Sequence, residues 1–574
     1  MTGELKTGGK MHKRTSIFLA AILSAAFFGA SCTGAQAGAP KAQASQTAQQ
    51  TGKPVAKATT DENKKAIIYQ ILLPIFTHEG TLDRARQMLP HVKSTGANIV
   101  YLCPVVEIDD GTDKAFWSKR QKACNLNNPK NPYRKSRKFL KPQKIRQMPV
   151  SYKDTLTLDD AIRLSGPMQF NIMLKPAGSL CNLDCHYCYY LDKADIYGGR
   201  EPKMSYEMLE KCIREYIAAN DVQEITFNWH GGEPLVLGPD FYRKAVELEQ
   251  KYCGEKLVRN TIQTNGTLIT PEFASFFKEN DFLVGISIDG PRDIHDKYRK
   301  DKGGAPTFDK VIRGINLLYQ YGVQYNTMST VNKAGEGRGL EVYQFLKQLG
   351  TRFMQFMPVV EHIRYPLSKS GKPDRGARPY IVDPLAEGAQ IAPWSVSSRG
   401  FGKFMCDIFD WWVRNDVGRY FVNLFDCTLA NWCGAQPGTC AYAETCGGNS
   451  VIEHNGDLYS CDHFVYPQYR VGNIMETSLR EMMGSDVQSR FGIDKRNGLP
   501  YKCIRCKYFF ACHGECPKHR FNRTESGETG LSALCEGYYM FYSHVAPYMD
   551  MMKELLLQKK APAGVIPWAR MRKV

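Results

Sequence analysis

Three cysteines, Cys181, Cys185 and Cys188 of "SLCNLDCHYCYY", stand close together, and the next along the chain is Cys212. A closed zinc or cubane site takes four protein ligands, so this set is one thiolate short. It suits a [4Fe-4S] cluster with one iron left open for a small bidentate molecule, by the logic of an open catalytic metal site. A zinc knuckle that borrows a distant fourth ligand is the alternative on spacing alone. Eight more cysteines form an ordered array further on: Cys440, Cys446, Cys461, Cys503, Cys506, Cys512, Cys516 and Cys535. Eight thiolates suffice for two fully ligated [4Fe-4S] clusters, and paired zinc ribbons would accept the same spacing.

Elements must hold these loops in place. "MQFNIMLKPAG" (168–178) is a short apolar run closed by Pro176 and Gly178, which reads as a buried strand feeding the cysteine loop. "EITFNW" then leads into "HGGEP", and "NTIQTNG" and "FLVGISIDG" follow, separated by helical patterns such as "YRKAVELEQKY" and "PEFASFFKEN". This βα repetition predicts an α/β fold, a parallel barrel or part-barrel with its chemistry at the carboxyl ends of the strands. Gly231 and Gly232 lack a Cβ, so their backbone can come close to a ligand; a plain turn is the other reading. Asp462, directly after a cysteine in "YSCDHF", is a general-base candidate, or else a turn cap.

Taken together, these motifs resemble the radical S-adenosylmethionine superfamily, specifically the anaerobic sulfatase-maturating enzymes, over residues 166 to 545. The resemblance implies a partial (β/α)6 barrel over 161–395 and a cysteine-rich SPASM domain over 396–555. It implies three [4Fe-4S] clusters and S-adenosyl-L-methionine as cofactors. Cys181, Cys185 and Cys188 would ligate the catalytic cluster; Cys440, Cys446, Cys461 and Cys516 one auxiliary cluster; Cys503, Cys506, Cys512 and Cys535 the other. Tyr187 and Val360 would meet the adenine, Gly232 the methionine amino group, and Ser287 and Arg299 its carboxylate and the ribose. Tyr190 would lie near the substrate. The family often has a glutamine where this chain has His230. The substrate implied is a Cys/Ser-x-Pro-x-Arg segment of a sulfatase, whose reacting cysteine or serine becomes formylglycine. Asp462 would take the side-chain proton, with Asp426 and His463 as the next candidates, and a flavodoxin or ferredoxin would supply electrons. A thioether-forming SPASM maturase would share every cluster ligand, and an electron-carrying or inert iron-sulfur fusion would share the cysteines too.

At 574 residues and 43% hydrophobic, the chain can bury more than one core. With eleven of nineteen cysteines as thiolate ligands, it expects a reducing, anaerobic setting, and disulfides are the wrong account. The amino terminus sits awkwardly with that expectation. Residues 1–32 read as a secretory or lipoprotein leader, ending at Cys32 and too short for a confident membrane span. A low-complexity linker (33–61) follows, then a stretch (62–117) that resembles the opening of an alpha-amylase-type barrel without its catalytic carboxylates. A basic linker (118–160) holds eleven Lys or Arg and no acid between 118 and 147, which accounts for most of the +17 charge. Without aromatic interleaving it reads as solvated chain rather than a nucleic-acid site. A tail (556–574) ends the chain. Export by an unfolded route could carry no cluster, so cytoplasmic activity is expected, with a periplasmic anchor as the alternative.

Overall fold

The computed structural model describes residues 68–71, 99–102, 169–197, 203–386 and 388–572. The expected leader, the linkers and most of the amylase-like stretch lie outside these residues. Two amino-terminal strands, β1 (Ile68–Ile71) and β2 (Ile99–Leu102), pair in parallel with Ile68 opposite Ile99. They belong to a unit (36–150) distinct from the one holding residues 151 to 574.

In the larger unit six parallel strands lie side by side in chain order: β3 (Asn171–Lys175), β4 (Glu224–Trp229), β5 (Leu257–Thr264), β6 (Leu283–Ser287), β7 (Tyr325–Val331) and β8 (Phe353–Pro358). The helices between them are α1 (Tyr206–Ala219), α2 (Pro239–Tyr252), α3 (Pro271–Glu279), α4 (Arg292–Tyr298), α5 (Phe308–Gln320) and α6 (Gly339–Gln348). This is the expected (β/α)6 arrangement. Local chemistry sets the helix starts. Ser205 caps α1 by accepting from Met208 N (3.1 Å), and Thr270 caps α3 with Pro271 in its first turn. Val311, Gly314, Ile315 and Leu318 of α5 recur at helical spacing and are buried. Along β4, Ile225, Phe227 and Trp229 are buried in the main core, while Asn228, on the opposite face, lines a cavity.

After β8 a small antiparallel sheet is built from β9 (His362–Arg364), β10 (Tyr380–Ile381) and β11 (Gln390–Ile391). Helix α7 (Ser398–Asn415), β12 (Phe421–Val422) and α8 (Asn423–Trp432) follow, and β12 extends the large sheet beside β8. At the other edge β13 (Asn449–Glu453) pairs in parallel with β3 over five residues, and β14 (Asp457–Tyr459) and β15 (Arg470–Asn473) complete a ten-stranded sheet. The cysteine-rich half is therefore joined to the first barrel strand, a pairing that strand patterning alone does not indicate. Helices α9 (Leu479–Met483) and α10 (Asp486–Asn497) follow, and the short α11 (Tyr501–Ile504) and α12 (Phe509–Cys512) carry Cys503 and Cys512. The long α13 (Cys535–Leu557) packs against α7, and the terminal α14 (Val565–Met571) buries Val565 and Ala569. No helix among the described residues is long and apolar enough to cross a membrane.

Candidate functional site

The cysteine loop leaves β3 at Lys175 and Pro176 and is tied down by backbone on two sides. Asp184 N donates to Lys300 O (2.8 Å) and His186 N to Tyr298 O (3.1 Å), fixing it to the end of α4. Gly232 N donates to Gly178 O (2.7 Å) and Glu233 N to Leu180 O (2.8 Å), fixing it to the loop after β4. A Cβ on Gly232 would strike the Leu180 carbonyl oxygen, so glycine is needed there for the close approach of two loops. The buried Glu233 carboxylate accepts from Leu235 N (3.0 Å), Asn265 N (2.7 Å) and Thr264 Oγ1 (2.7 Å), and burial raises its pKa to about 7.

Cys181, Cys185 and Cys188 all line one cavity with about 310 Å³ of room for water, together with Tyr187, Gly232, Ser287 and Arg299. Ser287 Oγ accepts from Gln263 Nε2 (2.9 Å). Asp289 organises the rest: the Tyr187 hydroxyl donates to it, and Arg299 Nη2 pairs with it at 3.0 Å. The Arg299 guanidinium lies 5.5 Å from the Tyr187 ring centre, and its buried Nε–H has no acceptor. That unspent donor beside a cavity fits an anionic group on a bound molecule. Val360 is buried in the main core away from this lining; its neighbour Val359 lines the cavity and packs with Cys185 and Tyr187.

Opposite the thiols stands a buried charged network. Asp462 pairs with the Lys175 ammonium and accepts from the Tyr189 hydroxyl. Burial pushes the Asp462 pKa up, but Lys175, with His230 and His463 nearby, outweighs that and holds the carboxyl well below the usual range. Lys175 Nζ also lies 3.4 Å from the Tyr190 ring centre, and the Tyr190 hydroxyl bonds Glu453 at 2.5 Å. Burial lowers His230 to about 4 and His463 to about 3, so both rings are neutral near pH 7. His230 Nδ1 accepts from Gly231 N (2.8 Å), which leaves the ring proton on Nε2. A second buried pair, Lys518 with Glu361 at 2.5 Å, also lines the cavity. Lys175, Glu453, Glu361 and Lys518 are functional-site residues that motif reading passes over. Lys175 alone carried a signal, as a charge at the end of an apolar strand.

Asp426 lies behind the wall of this cavity. It lines a small chamber with about 20 Å³ of room that shares Gln263, Met328, Gln355 and Asn423 with the main cavity, which Asp426 itself does not line. Burial alone raises its pKa to about 8.

The other cysteines gather in two sets. Cys461 lies in the electrostatic field of Cys440, Cys516 and Cys446, and all four line the same cavity as the first three. Cys503 lies in the field of Cys535 and Cys506, and Cys512 in that of Cys503 and Cys535. This second set does not line the cavity. These thiols are free of disulfides, and burial pushes Cys185 and Cys503 up to about 12 and Cys446 to about 11. Buried thiols raised this far become thiolates only beside strong positive charge, which bound metal supplies. Sets of four free thiols fit either a zinc ion or a [4Fe-4S] cluster, and the set of three fits a cluster with one iron left open.

Residues 176–343 match the Radical SAM superfamily, and residues 440–507 match an iron-sulfur cluster-binding domain. The chain is 50% identical to the serine-type anaerobic sulfatase-maturating enzyme of Bacteroides thetaiotaomicron over 399 residues, 69% of this chain and 94% of the relative. It is 34% identical to the cysteine-type anaerobic sulfatase-maturating enzyme of Clostridium novyi over 380 residues, 65% of this chain and 94% of the relative. Among solved structures, native anSMEcpe with bound AdoMet and Cp18Cys peptide superposes with a TM-score of 0.58 at 29% identity, covering 67% of this chain and 99% of that one.

Proposed function

The chain belongs to the anaerobic sulfatase-maturating enzymes, radical S-adenosylmethionine oxidoreductases that form formylglycine, and we propose that its substrate residue is a serine in a Ser-x-Pro-x-Arg segment of a sulfatase. The serine choice is supported by the 50% identity to a serine-type relative against 34% to a cysteine-type one. The observation that carries the site reading is that Cys181, Cys185 and Cys188 and the ion-paired Asp462 face one cavity. A peptide side chain there lies within reach of both the oxidant and the base.

When bound, the cluster on these three cysteines and S-adenosylmethionine supply the one-electron chemistry that removes a β-hydrogen. The remaining tasks belong to the chain. Arg299, held by Asp289, would offer its unspent Nε–H to the methionine carboxylate; Tyr187 and Val359 would border the adenine, and Gly232 lets the two loops close on each other. Asp462 receives the hydroxyl proton on the oxygens that Lys175 and Tyr189 address. The serine thus loses two hydrogens in all, one as an atom, one as a proton, with an electron left over. Clusters held by the Cys440–Cys446–Cys461–Cys516 and Cys503–Cys506–Cys512–Cys535 sets would supply the route for that electron. A flavodoxin- or ferredoxin-type donor would supply electrons to the catalytic cluster, which suits a reducing, anaerobic setting.

The test is anaerobic reconstitution with serine and cysteine forms of one peptide, reading peptide mass and 5′-deoxyadenosine together. Turnover of the serine peptide with loss of two hydrogens is the expected result. Preference for the cysteine peptide would overturn the substrate choice. A product that keeps the cysteine sulfur in a thioether would overturn the reaction.

A further inference from the structure

Cys512 belongs to one auxiliary set and Cys516 to the other, so residues 513 to 515 are the covalent link between them. All three link residues lie in the left-handed region: His513 at φ 46°, Gly514 at 72° and Glu515 at 60°. For His513 and Glu515 that conformation is strained and persists only if the surroundings hold it. One side chain does so. Arg520 Nε donates to Gly514 O (2.8 Å), and Nη2 donates to His513 O (2.8 Å) and Glu515 O (2.6 Å). Its Nη1 donates to Lys495 O. Lys495 Nζ in turn donates to Cys440 O (2.5 Å), Ala441 O (2.9 Å) and Ala443 O, gripping the turn that carries a cysteine of the first set.

Both cations are buried, Lys495 at 1% exposure and Arg520 at 6%, and every hydrogen bond they make is to a backbone carbonyl. The Glu515 carboxylate, near the Arg520 guanidinium in sequence and in its field, bonds His519 (2.8 Å) and Ser532 (3.0 Å) instead. Two buried cations without an ion-paired carboxylate are costly unless another negative charge lies close. For Lys495 the negative groups in its field are thiols, Cys446, Cys440 and Cys516; for Arg520 they are Glu515 first, then the thiols Cys516, Cys446 and Cys512 of both sets.

We propose that Lys495 and Arg520 are the counter-ions of the two auxiliary clusters, and that Arg520 fixes the distance between them by clamping the 513–515 link. The inference rests on the reading of the eight cysteines as cluster ligands. A four-thiolate [4Fe-4S] cluster gains one negative charge on reduction, so two cations at low dielectric favour its reduced form and raise its potential. This prepares the pair to accept the electron that serine oxidation releases. Arg520 and Lys495 are positioning and tuning residues that touch no substrate.

The experiment uses the full chain with Cys181, Cys185 and Cys188 changed to alanine, so that only auxiliary signals are read. Iron is counted first: about eight atoms are expected from two four-iron sites. A markedly lower count would overturn the underlying cluster reading, whatever the cations do. In iron-loaded protein, EPR-monitored redox titration of Lys495→Met and Arg520→Gln should show the reduction equilibrium weakened at least tenfold, a fall of about 59 mV for one electron. Arg520→Lys, which keeps charge but not the fork, should hold the midpoint and change the magnetic coupling between the two reduced clusters. Unchanged midpoints in iron-loaded Lys495→Met and Arg520→Gln would overturn the proposal. Loss of iron from both variants would make the cations folding clamps only, and would also overturn it.

Discussion

Asp462 shows how far residue type predicts chemistry and where its partners decide the outcome. Its place after Cys461 marks it as a base candidate, but the sequence does not announce that Lys175, 287 positions earlier, would be its counter-ion. A carboxylate held below its usual range is always ionised at neutral pH and is a weak base for an ordinary alcohol. It becomes adequate once loss of the β-hydrogen has made the hydroxyl more acidic, so the order of steps is built into the pair. Asp462→Asn should therefore still cleave S-adenosylmethionine while formylglycine falls by about 10²-fold, an uncoupling read from the ratio of 5′-deoxyadenosine to aldehyde. It should also lower stability by about 3–5 kcal/mol, because Lys175 is left buried and unpaired. Normal aldehyde yield would move the base elsewhere. Asp426 obeys the opposite sign. With a folded pKa near 8 against an ordinary 3.8, it keeps a proton that the unfolded chain gives up, so its penalty is absent below pH 4 and grows as pH rises toward 8. Asp426→Asn should gain about 2 kcal/mol more over wild type at pH 8 than at pH 6 in anaerobic denaturation. An equal gain at both pH values would mean that the carboxyl is ionised throughout.

At the scale of elements, the strands and helices of the barrel were legible because period and punctuation agree: apolar runs end in glycine or proline, and Ser205 and Thr270 sit where caps belong. What stayed hidden were contacts between elements distant in sequence. The pairing of β13 with β3 carries Glu453 to Tyr190 and brings the first auxiliary set to the same cavity as the cysteine loop. Neither strand's pattern specifies its partner. The crossing of α7 and α13 was equally invisible. Gly537 N donates to Ser398 Oγ (2.9 Å), a Cβ on Gly537 would strike Ser398 O, and one on Gly402 would come 2.6 Å from Gly537 O. Because backbone, not a flexible side chain, blocks the added methyl group, Gly537→Ala should cost about 1–3 kcal/mol despite the better helix propensity of alanine. Since Cys535 begins the same helix, displacement should also loosen the second set, read as iron lost on mild chelation. A variant as stable as wild type, with full iron, would show that the two helices can part at no cost.

For the whole molecule, the question is what the first 150 residues contribute. Among the described residues, every one that lines the site lies between Asn171 and Tyr538, and the cores around it are built from residues 169 to 572. β1 and β2, a parallel pair, are the described residues of a separate unit. The relatives supply the complementary fact: about two thirds of this chain matches nearly the full length of proteins that carry the activity by name. We therefore propose that the chemistry needs only the part of the chain beyond residue 150. A chain beginning at Met148 should bind about twelve iron atoms, as three four-iron sites require, and should convert the serine peptide at the rate of the full chain. Changing Cys181, Cys185 and Cys188 to alanine within it should remove about one third of that iron and all cleavage of S-adenosylmethionine, because the auxiliary sets share no thiolate with the cysteine loop. A shortened chain that folds and loads iron but turns over slowly would make the amino-terminal unit a functional part of the enzyme. One that holds zinc in place of the auxiliary iron would overturn the assignment of the two later cysteine sets while leaving the first intact.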